Sequence, residues 1–137
     1  TKVGSAETLA RHLRPDGLKW VVFFGSVSGR FGNPGQTDYA AANEVLNRLA
    51  WRLEHEWPAT RVVTINWGPW RGLGMMSDAT LALIEARGIP AIDRVAGRRF
   101  VAREIVAGTR DEVEVVAGTG PWADSGRRAG GEVAVGG

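Results

Sequence analysis

Three polar side chains lie along one stretch of the chain in a pattern that can do chemistry: Ser26, Tyr39 and Asn43. Ser26 ends an apolar run. Tyr39 and Asn43 are four residues apart, which places them on the same face of a helix. A serine hydroxyl can donate a hydrogen bond to an oxygen that gains negative charge, and a phenol can supply a proton. These residue types therefore predict a site that polarises and protonates an oxygen atom.

The elements that would position these side chains are a strand, a loop and a helix. Residues 21–24 form an apolar run that is rich in β-branched and aromatic residues, so we expect a strand buried on both faces. A glycine-rich loop follows, and a helix begins near Thr37 or Asp38, either of which suits an N-cap. Ser26 would then lie at the carboxyl end of the strand, where open α/β sheets bind their ligands. The helix carries apolar residues at core spacing, namely Ala41, Val45, Leu49 and Leu53.

The rest of the sequence alternates between helix and strand patterns. We expect helices over 1–13, 77–87 and 93–107, and strands over 61–67 and around 113–116. This alternation predicts an α/β fold with a parallel sheet and helix crossovers.

Composition excludes several classes of protein. The 137 residues are 23% charged, which suits one globular unit, and no apolar run approaches the roughly 20 residues that span a bilayer. The chain has no cysteine, so disulfides and thiolate metal sites are impossible, and we expect no metal site. The net charge is only +2 and the arginines are scattered along the sequence, which argues against nucleic-acid binding. We expect a cytoplasmic location.

The spacing of the polar residues resembles that of a known family. Ser26 lies thirteen residues before Tyr39, and Tyr39 and Asn43 form the pattern Tyr-x-x-x-Asn. This pattern resembles that of the catalytic Ser, Tyr and Asn in the ketoreductase (KR) domain of type I polyketide synthases. KR domains belong to the short-chain dehydrogenase/reductase superfamily. In that subfamily a Lys lies twenty-four residues before the Ser, which corresponds to Lys2. Ser28 is a second hydroxyl, but its spacing to Tyr39 does not fit. The resemblance covers residues 2 to about 120.

The resemblance implies a role for each matching residue. Tyr39 would be the general acid in the reduction of a ketone, and Ser26 would donate to the carbonyl oxygen. A nearby ammonium favours the phenolate form of a tyrosine, which is the role implied for Lys2. Lys2 would also hold the nicotinamide ribose together with Tyr39, and Asn43 would hold a water of the proton relay. The loop Gly68, Pro69 and Trp70 would meet the nicotinamide carboxamide.

The resemblance also implies partners and a larger domain. The expected cofactor is NADPH, and the expected substrate is a β-ketoacyl thioester carried by an acyl carrier protein. We expect only the second half of a Rossmann-like fold with helices on both faces, since the sequence shows no βαβ unit with a glycine-rich turn ahead of the site residues. Residues 1–119 would then be the C-terminal, catalytic part of a KR domain that needs its N-terminal half, and 120–137 a Gly-rich linker or disordered tail. This fragment alone is expected to be inactive.

Three other functions remain open at this point. One is a short-chain reductase that acts on a free small ketone, although the Asn43 and Lys2 arrangement argues against it. The second is a non-catalytic structural half-domain, although such regions lack the Tyr and Ser that are present here. The third is a binding or interaction module without chemistry, for which the sequence shows no supporting feature.

Overall fold

The computed structural model describes residues 2–73 and 76–124, and they form five α-helices, three strands and two 3₁₀ helices. The α-helices are α1 (Lys2–His12), α2 (Val27–Phe31), α3 (Thr37–Glu56), α4 (Asp78–Ala86) and α5 (Arg94–Ala107). The strands are β1 (Trp20–Ser26), β2 (Arg61–Trp67) and β3 (Glu114–Ala117). The 3₁₀ helices are Pro15–Gly17 and Pro121–Asp124. None of the described helices is long and apolar enough to cross a membrane.

The three strands pair in the order β1-β2-β3 and run parallel. The register of the last two strands shows this directly. Thr64 N donates to Val113 O, and four residues later on both segments Gly68 N donates to Ala117 O. The pairing therefore advances in the same direction along both segments, as it does in a parallel ladder. The predicted α/β, Rossmann-like architecture with a parallel sheet is confirmed.

Local signals place the ends of the two helices that follow β2. The Ser77 hydroxyl accepts from Thr80 N at the start of α4, and Gly88 takes a φ of 79° just beyond its end. The Asp93 carboxylate accepts from Val95 N and Ala96 N at the start of α5. Both helices therefore lie within one residue of the predicted bounds.

The chain divides into two compact units, each of which is described by itself. The first unit comprises Thr1–Asn66 and Thr109–Val115, and the second comprises Trp67–Gly108 and Val116–Gly137. The core of the first unit consists of Ala6, Leu46, Leu49, Ala50, Leu53, Trp57, Val62 and Val113. In the second unit, Trp67 packs against Trp70 and Phe100, with ring centroids 4.7 Å and 5.7 Å apart.

The prediction that the first strand is buried on both faces is wrong. Residues 21–23 are only half-buried, and Trp20 and Phe24 are exposed. The physical reason is the strand order, which places β1 at an edge of the sheet with only β2 beside it among the described strands. Only its last two residues, Gly25 and Ser26, are buried.

The segment after Ser26 is a helix where a loop was expected. The Ser26 hydroxyl accepts from Ser28 N and caps α2, which ends at Phe31 and is followed by Gly32 with a φ of 76°. The predicted turn then leads into α3, which begins at Thr37. The expectation that Thr37 or Asp38 is the N-cap is wrong, because both residues lie inside the helix. Its N-cap is Gln36, and the Gln36 side chain accepts from Asn33 instead of capping the helix.

The predicted core face of α3 is half right. Leu49 and Leu53 are buried, but Ala41 and Val45 are exposed. The buried face is instead completed by Asn43, Leu46, Asn47 and Ala50. Helical spacing of apolar residues alone did not reveal this face, because two asparagines belong to it.

The expected linker over 120–137 falls mostly outside the described residues. Pro121–Asp124 forms a short 3₁₀ helix, and residues 125–137 lie beyond the described part of the chain. The boundary between a domain and a tail at residue 119 therefore stays a prediction.

Candidate active site

Ser26 joins β1 to α2, and its hydroxyl is already engaged within the chain. Its backbone is extended, with φ −143° and ψ 148°, as is usual for an N-cap residue. Ser26 Oγ accepts a hydrogen bond from Ser28 N at 3.2 Å and donates one to Ser28 Oγ at 3.3 Å. Both serines are buried, with 8% and 9% of their surface exposed. The hydroxyl therefore lies at the predicted place, the carboxyl end of a strand.

Glycine brings α2 against α3 at the level of Asn43. A Cβ on Gly29 would lie 2.7 Å from Asn43 Cβ and 2.9 Å from both the Asn43 carbonyl carbon and Glu44 N. No larger side chain fits at this distance without moving backbone. The close approach of the two helices places the Ser26–Ser28 turn beside the first turns of α3.

Asn43 is fully buried and connects two other predicted site residues. Its Nδ2 donates to Tyr39 O at 2.8 Å, and its Oδ1 accepts from Lys2 Nζ at 2.7 Å. A buried amide is stable only when its polar atoms have partners, and here both sides of the amide are satisfied. Asn43 therefore fixes the lysine of α1 to the first turn of α3.

The Lys2 ammonium also lies over the Tyr39 ring, 5.7 Å from its centroid. This distance is within the range of a cation–π contact. Tyr39 keeps 38% of its surface exposed, so its side chain remains accessible to a ligand. The structure thus brings together Lys2, Tyr39 and Asn43.

Ser26 does not join this group through a direct hydrogen bond. Within the described part of the chain, the Ser26 hydroxyl is hydrogen-bonded to Ser28. The turn that carries Ser26 contacts the group of Lys2, Tyr39 and Asn43 only indirectly, because Gly29 packs against Asn43. The arrangement offers an ammonium, a phenol and a serine hydroxyl around one end of α3. Such a set of donors can bind and protonate an oxygen that gains negative charge.

The loop Gly68, Pro69 and Trp70 belongs to the second unit and is held by backbone hydrogen bonds. Gly68 N donates to Ala117 O at 2.8 Å, and Pro69 O accepts from Ile92 N at 2.7 Å. Trp70 lies over α5, where a Cβ on Gly97 would come within 2.5 Å of Trp70 Cζ3. The loop is therefore fixed in shape by neighbours on both sides.

Sequence reasoning missed a buried row of amides in the first unit. Asn66 Nδ2 donates to Asn47 Oδ1 at 3.0 Å, and Asn47 Nδ2 donates to Glu44 Oε2 at 3.0 Å. Asn47 and Asn66 are at most 1% exposed. Asn66 Oδ1 has no hydrogen-bond donor among the described residues, and the missing side chain of Gly25 leaves room for it. The available signal was Asn47 itself, a poor helix former one turn after Asn43.

Comparison with known proteins identifies a family. The KR domain family matches residues 1–72, which is more than half of the chain. A polyunsaturated fatty acid synthase polypeptide of Thraustochytrium sp. is 36% identical over 115 residues. A phenolphthiocerol/phthiocerol polyketide synthase polypeptide of Mycobacterium tuberculosis is 33% identical over 107 residues. The two matches cover 84% and 78% of this chain, but only 4% and 6% of those proteins.

Solved structures show the same relation. The ketoreductase from the first module of phoslactomycin biosynthesis in Streptomyces sp. HK803 matches with a TM-score of 0.77 and 32% identity. The first ketoreductase of the tylosin polyketide synthase matches with a TM-score of 0.72 and 34% identity. The matches cover 89% and 88% of this chain and 27% and 26% of the ketoreductase chains. The present chain therefore spans about a quarter of each ketoreductase.

Proposed function

The chain belongs to the KR domain family, and from this premise we propose that it is the catalytic part of a domain that reduces a β-ketoacyl thioester to the β-hydroxyacyl thioester with NADPH. The observation that carries the proposal is the hydrogen bond from Lys2 Nζ to Asn43 Oδ1, one turn after Tyr39. Lysine and asparagine come from different helices of this chain, and they meet beside the only tyrosine in the sequence. A hydroxyl, an ammonium and a phenol around one end of a helix are what the reduction of a carbonyl requires.

In the proposed mechanism, Tyr39 donates the proton to the carbonyl oxygen of the substrate. Its side chain is partly exposed, and the Lys2 ammonium lies over its ring, 5.7 Å from the ring centroid. Ser26 donates a hydrogen bond to the same oxygen and stabilises the charge that develops there. Asn43 keeps Lys2 in place through the hydrogen bond from Lys2 Nζ to Asn43 Oδ1. The water-holding role that the resemblance implies for Asn43 finds no support in the geometry, because the side chain is fully buried and both sides of its amide are bonded within the chain.

The residues fit a nicotinamide cofactor. The Lys2 ammonium has three N–H donors. One of them is donated to Asn43 Oδ1, so the other two are available for ribose hydroxyls. We propose that Lys2 and Tyr39 hold the ribose, and that the loop Gly68, Pro69 and Trp70 meets the carboxamide. NADPH supplies the hydride when bound, and the protein supplies orientation and electrostatics.

Two partners follow from this function. One is an acyl carrier protein that presents the thioester. The other is the N-terminal half of the same KR domain, for which residues 1–119 would form the catalytic complement. The exposed edge strand β1 supports this second partner: an open pocket of ≈ 340 Å³ lies beside it, lined by Lys2 and by apolar residues that include Leu9 and Val22. An exposed strand edge is a template for pairing with further chain.

The experiment uses the complete KR domain that carries this sequence. Tyr39→Phe removes one oxygen and keeps the ring, so turnover of a β-ketoacyl thioester should fall by about 10²–10⁴-fold while the fold is kept. Ser26→Ala should lower turnover by roughly 10²–10³-fold. Thr37→Val, which removes an exposed hydroxyl from the same turn of α3, is the matched control and should leave turnover unchanged.

Three outcomes would contradict the proposal. Near-full turnover by the Tyr39→Phe domain would exclude Tyr39 as the proton donor. Equal efficiency with a free small ketone would favour a reductase without a carrier partner. No reduction of any ketone, together with normal folding, would favour a structural half-domain. The isolated chain is expected to bind NADPH weakly, and tight stoichiometric binding measured by calorimetry would show that the N-terminal half is not needed.

A further inference from the structure

The hydrogen bonds of Ser26 engage its hydroxyl proton within the chain. A serine hydroxyl has one proton and two lone pairs. One lone pair of Ser26 Oγ accepts from Ser28 N, and the proton is donated to Ser28 Oγ. The proposed function needs that same proton on the carbonyl oxygen of the substrate. The resting arrangement must therefore change when the substrate binds, and the change involves Ser28.

Ser28 is placed so that the change leaves no buried group without a partner. The residue is buried beside Ser26, with 9% of its surface exposed, so water cannot readily replace a lost hydrogen bond. If Ser26 turned its proton to the substrate and Ser28 stayed fixed, Ser28 Oγ would lose its donor inside the protein. Such an unsatisfied buried group typically costs about 1–3 kcal/mol. Rotation of the Ser28 hydroxyl avoids this loss, because its own proton can then point to the second lone pair of Ser26 Oγ.

We propose that Ser28 is a positioning residue for the reduction, through an exchange of donor and acceptor roles with Ser26. In the resting site Ser26 donates to Ser28. With a carbonyl in place, Ser26 donates to the carbonyl oxygen and Ser28 donates to Ser26. Both changes are rotations about single bonds of the two serine side chains, so no covalent bond forms or breaks. This inference rests on the proposed function.

The exchange also strengthens the donor that touches the substrate. Hydrogen bonds in a chain polarise one another, so a hydroxyl that accepts a bond becomes a better donor. With the carbonyl bound, Ser26 Oγ accepts from both Ser28 N and Ser28 Oγ while it donates to the oxygen that gains charge. Ser28 thus acts on the transition state through Ser26 and not through contact with the substrate.

A backbone feature makes Ser28 suitable for mutation. The bond that caps α2 comes from Ser28 N, so Ser28→Ala keeps the cap and removes only the hydroxyl. Val27, the other residue of this turn, carries no polar side-chain atom and cannot take over the role.

The test is a double-mutant cycle in the complete KR domain, with Ser26→Ala, Ser28→Ala and both together. A neutral hydrogen bond corresponds to a rate change of about two- to tenfold, so Ser28→Ala should lower kcat by that factor and leave the KM for NADPH unchanged. In the Ser26→Ala background the same substitution should produce no further change, because the residue through which it acts is gone. Ser28→Thr keeps a hydroxyl and should retain kcat within about twofold of the unsubstituted domain.

The outcomes separate this inference from the proposed function. An equal loss of kcat from Ser28→Ala in both backgrounds would show a role in packing only and would overturn the inference. Equal losses of kcat in Ser28→Thr and Ser28→Ala would show that the Ser28 hydroxyl does not matter, which would also overturn the inference. A normal kcat for Ser28→Ala, together with a loss of about 10²-fold or more for Ser26→Ala, would overturn the inference and leave the proposed function intact. A normal kcat for Ser26→Ala would overturn both.

Discussion

The contact between Gly29 and Asn43 predicts how Gly29→Ala changes the stability of the protein. The added methyl group has two opposing effects, a gain in helix propensity and a loss from overpacking. Gly29→Ala places a Cβ in the middle of α2. In an exposed helix this change is stabilising, because alanine is favoured over glycine by about 0.8–1 kcal/mol. At Gly29, however, the Cβ would lie 2.7 Å from Asn43 Cβ and 2.9 Å from two backbone atoms of α3. Backbone cannot rotate away, so α2 and α3 must separate.

The magnitude follows from these distances. All three lie well below the 3.4–4 Å of ordinary van der Waals contact, so the helices must move apart by about half an ångström or more. Forcing an extra methyl into a closely packed site typically costs about 1–3 kcal/mol. The overpacking therefore outweighs the gain in helix propensity, and we expect Gly29→Ala to lower the free energy of unfolding by roughly 1–2 kcal/mol.

Gly4→Ala is the matched control, since Gly4 is also helical and a Cβ there has nothing within 4 Å. It should raise the free energy of unfolding by up to about 1 kcal/mol. Urea denaturation of both variants, followed by circular dichroism, measures the two changes in opposite directions. If Gly29→Ala were as stabilising as Gly4→Ala, the close packing of α2 on α3 would be refuted. In the complete KR domain, Gly29→Ala should also lower kcat, because it moves Ser26 away from Tyr39.

Two further predictions concern contacts within each of the two units. Glu114 accepts from Arg30 and from Trp51 Nε1, each at 2.6 Å, so Glu114→Ala should lower the free energy of unfolding by about 2 kcal/mol and Trp51→Phe by about half as much. If urea denaturation showed that Glu114→Ala and Trp51→Phe lower the free energy of unfolding by equal amounts, this prediction would be wrong. Gly97→Ala should displace the Trp70 ring and raise the KM for NADPH about tenfold, which corresponds to ~1.4 kcal/mol. An unchanged KM would show that the ring position does not matter for the cofactor.

The order and bounds of most elements were predictable because their signals are local. A buried strand over 61–67 is recognisable from its own apolar residues, and all seven residues are buried in the structure. The starts of α4 and α5 depend on Ser77 and Asp93, whose side chains bond to backbone atoms only two or three residues away. Nothing distant in the sequence is needed for either.

The burial of β1 and the helix α2 were not predictable because they depend on distant residues. Apolar composition shows that residues 21–24 form a strand, but not that the strand lies at an edge of the sheet. Gly29 looks like a loop residue in the sequence. It is helical here, and it packs against α3, which begins eight residues later and leaves no space for a larger side chain.

Asparagine on the buried face of α3 explains both the error in the predicted core and the construction of the site. Asn43, Leu46, Asn47, Ala50 and Leu53 follow helical spacing, so the two amides continue the apolar stripe towards the start of the helix. Burying an amide is unfavourable unless it is hydrogen-bonded, and both amides have partners: Lys2 and the Tyr39 carbonyl for Asn43, Glu44 and Asn66 for Asn47. Those partners lie on α1, α3 and β2, so the amides can be buried only when these elements are assembled.

Tyr39 lies one turn before Asn43 on this same stripe, where the amides give way to solvent. The polar residues that interrupt the hydrophobic pattern are therefore the ones that bring the phenol and the ammonium together.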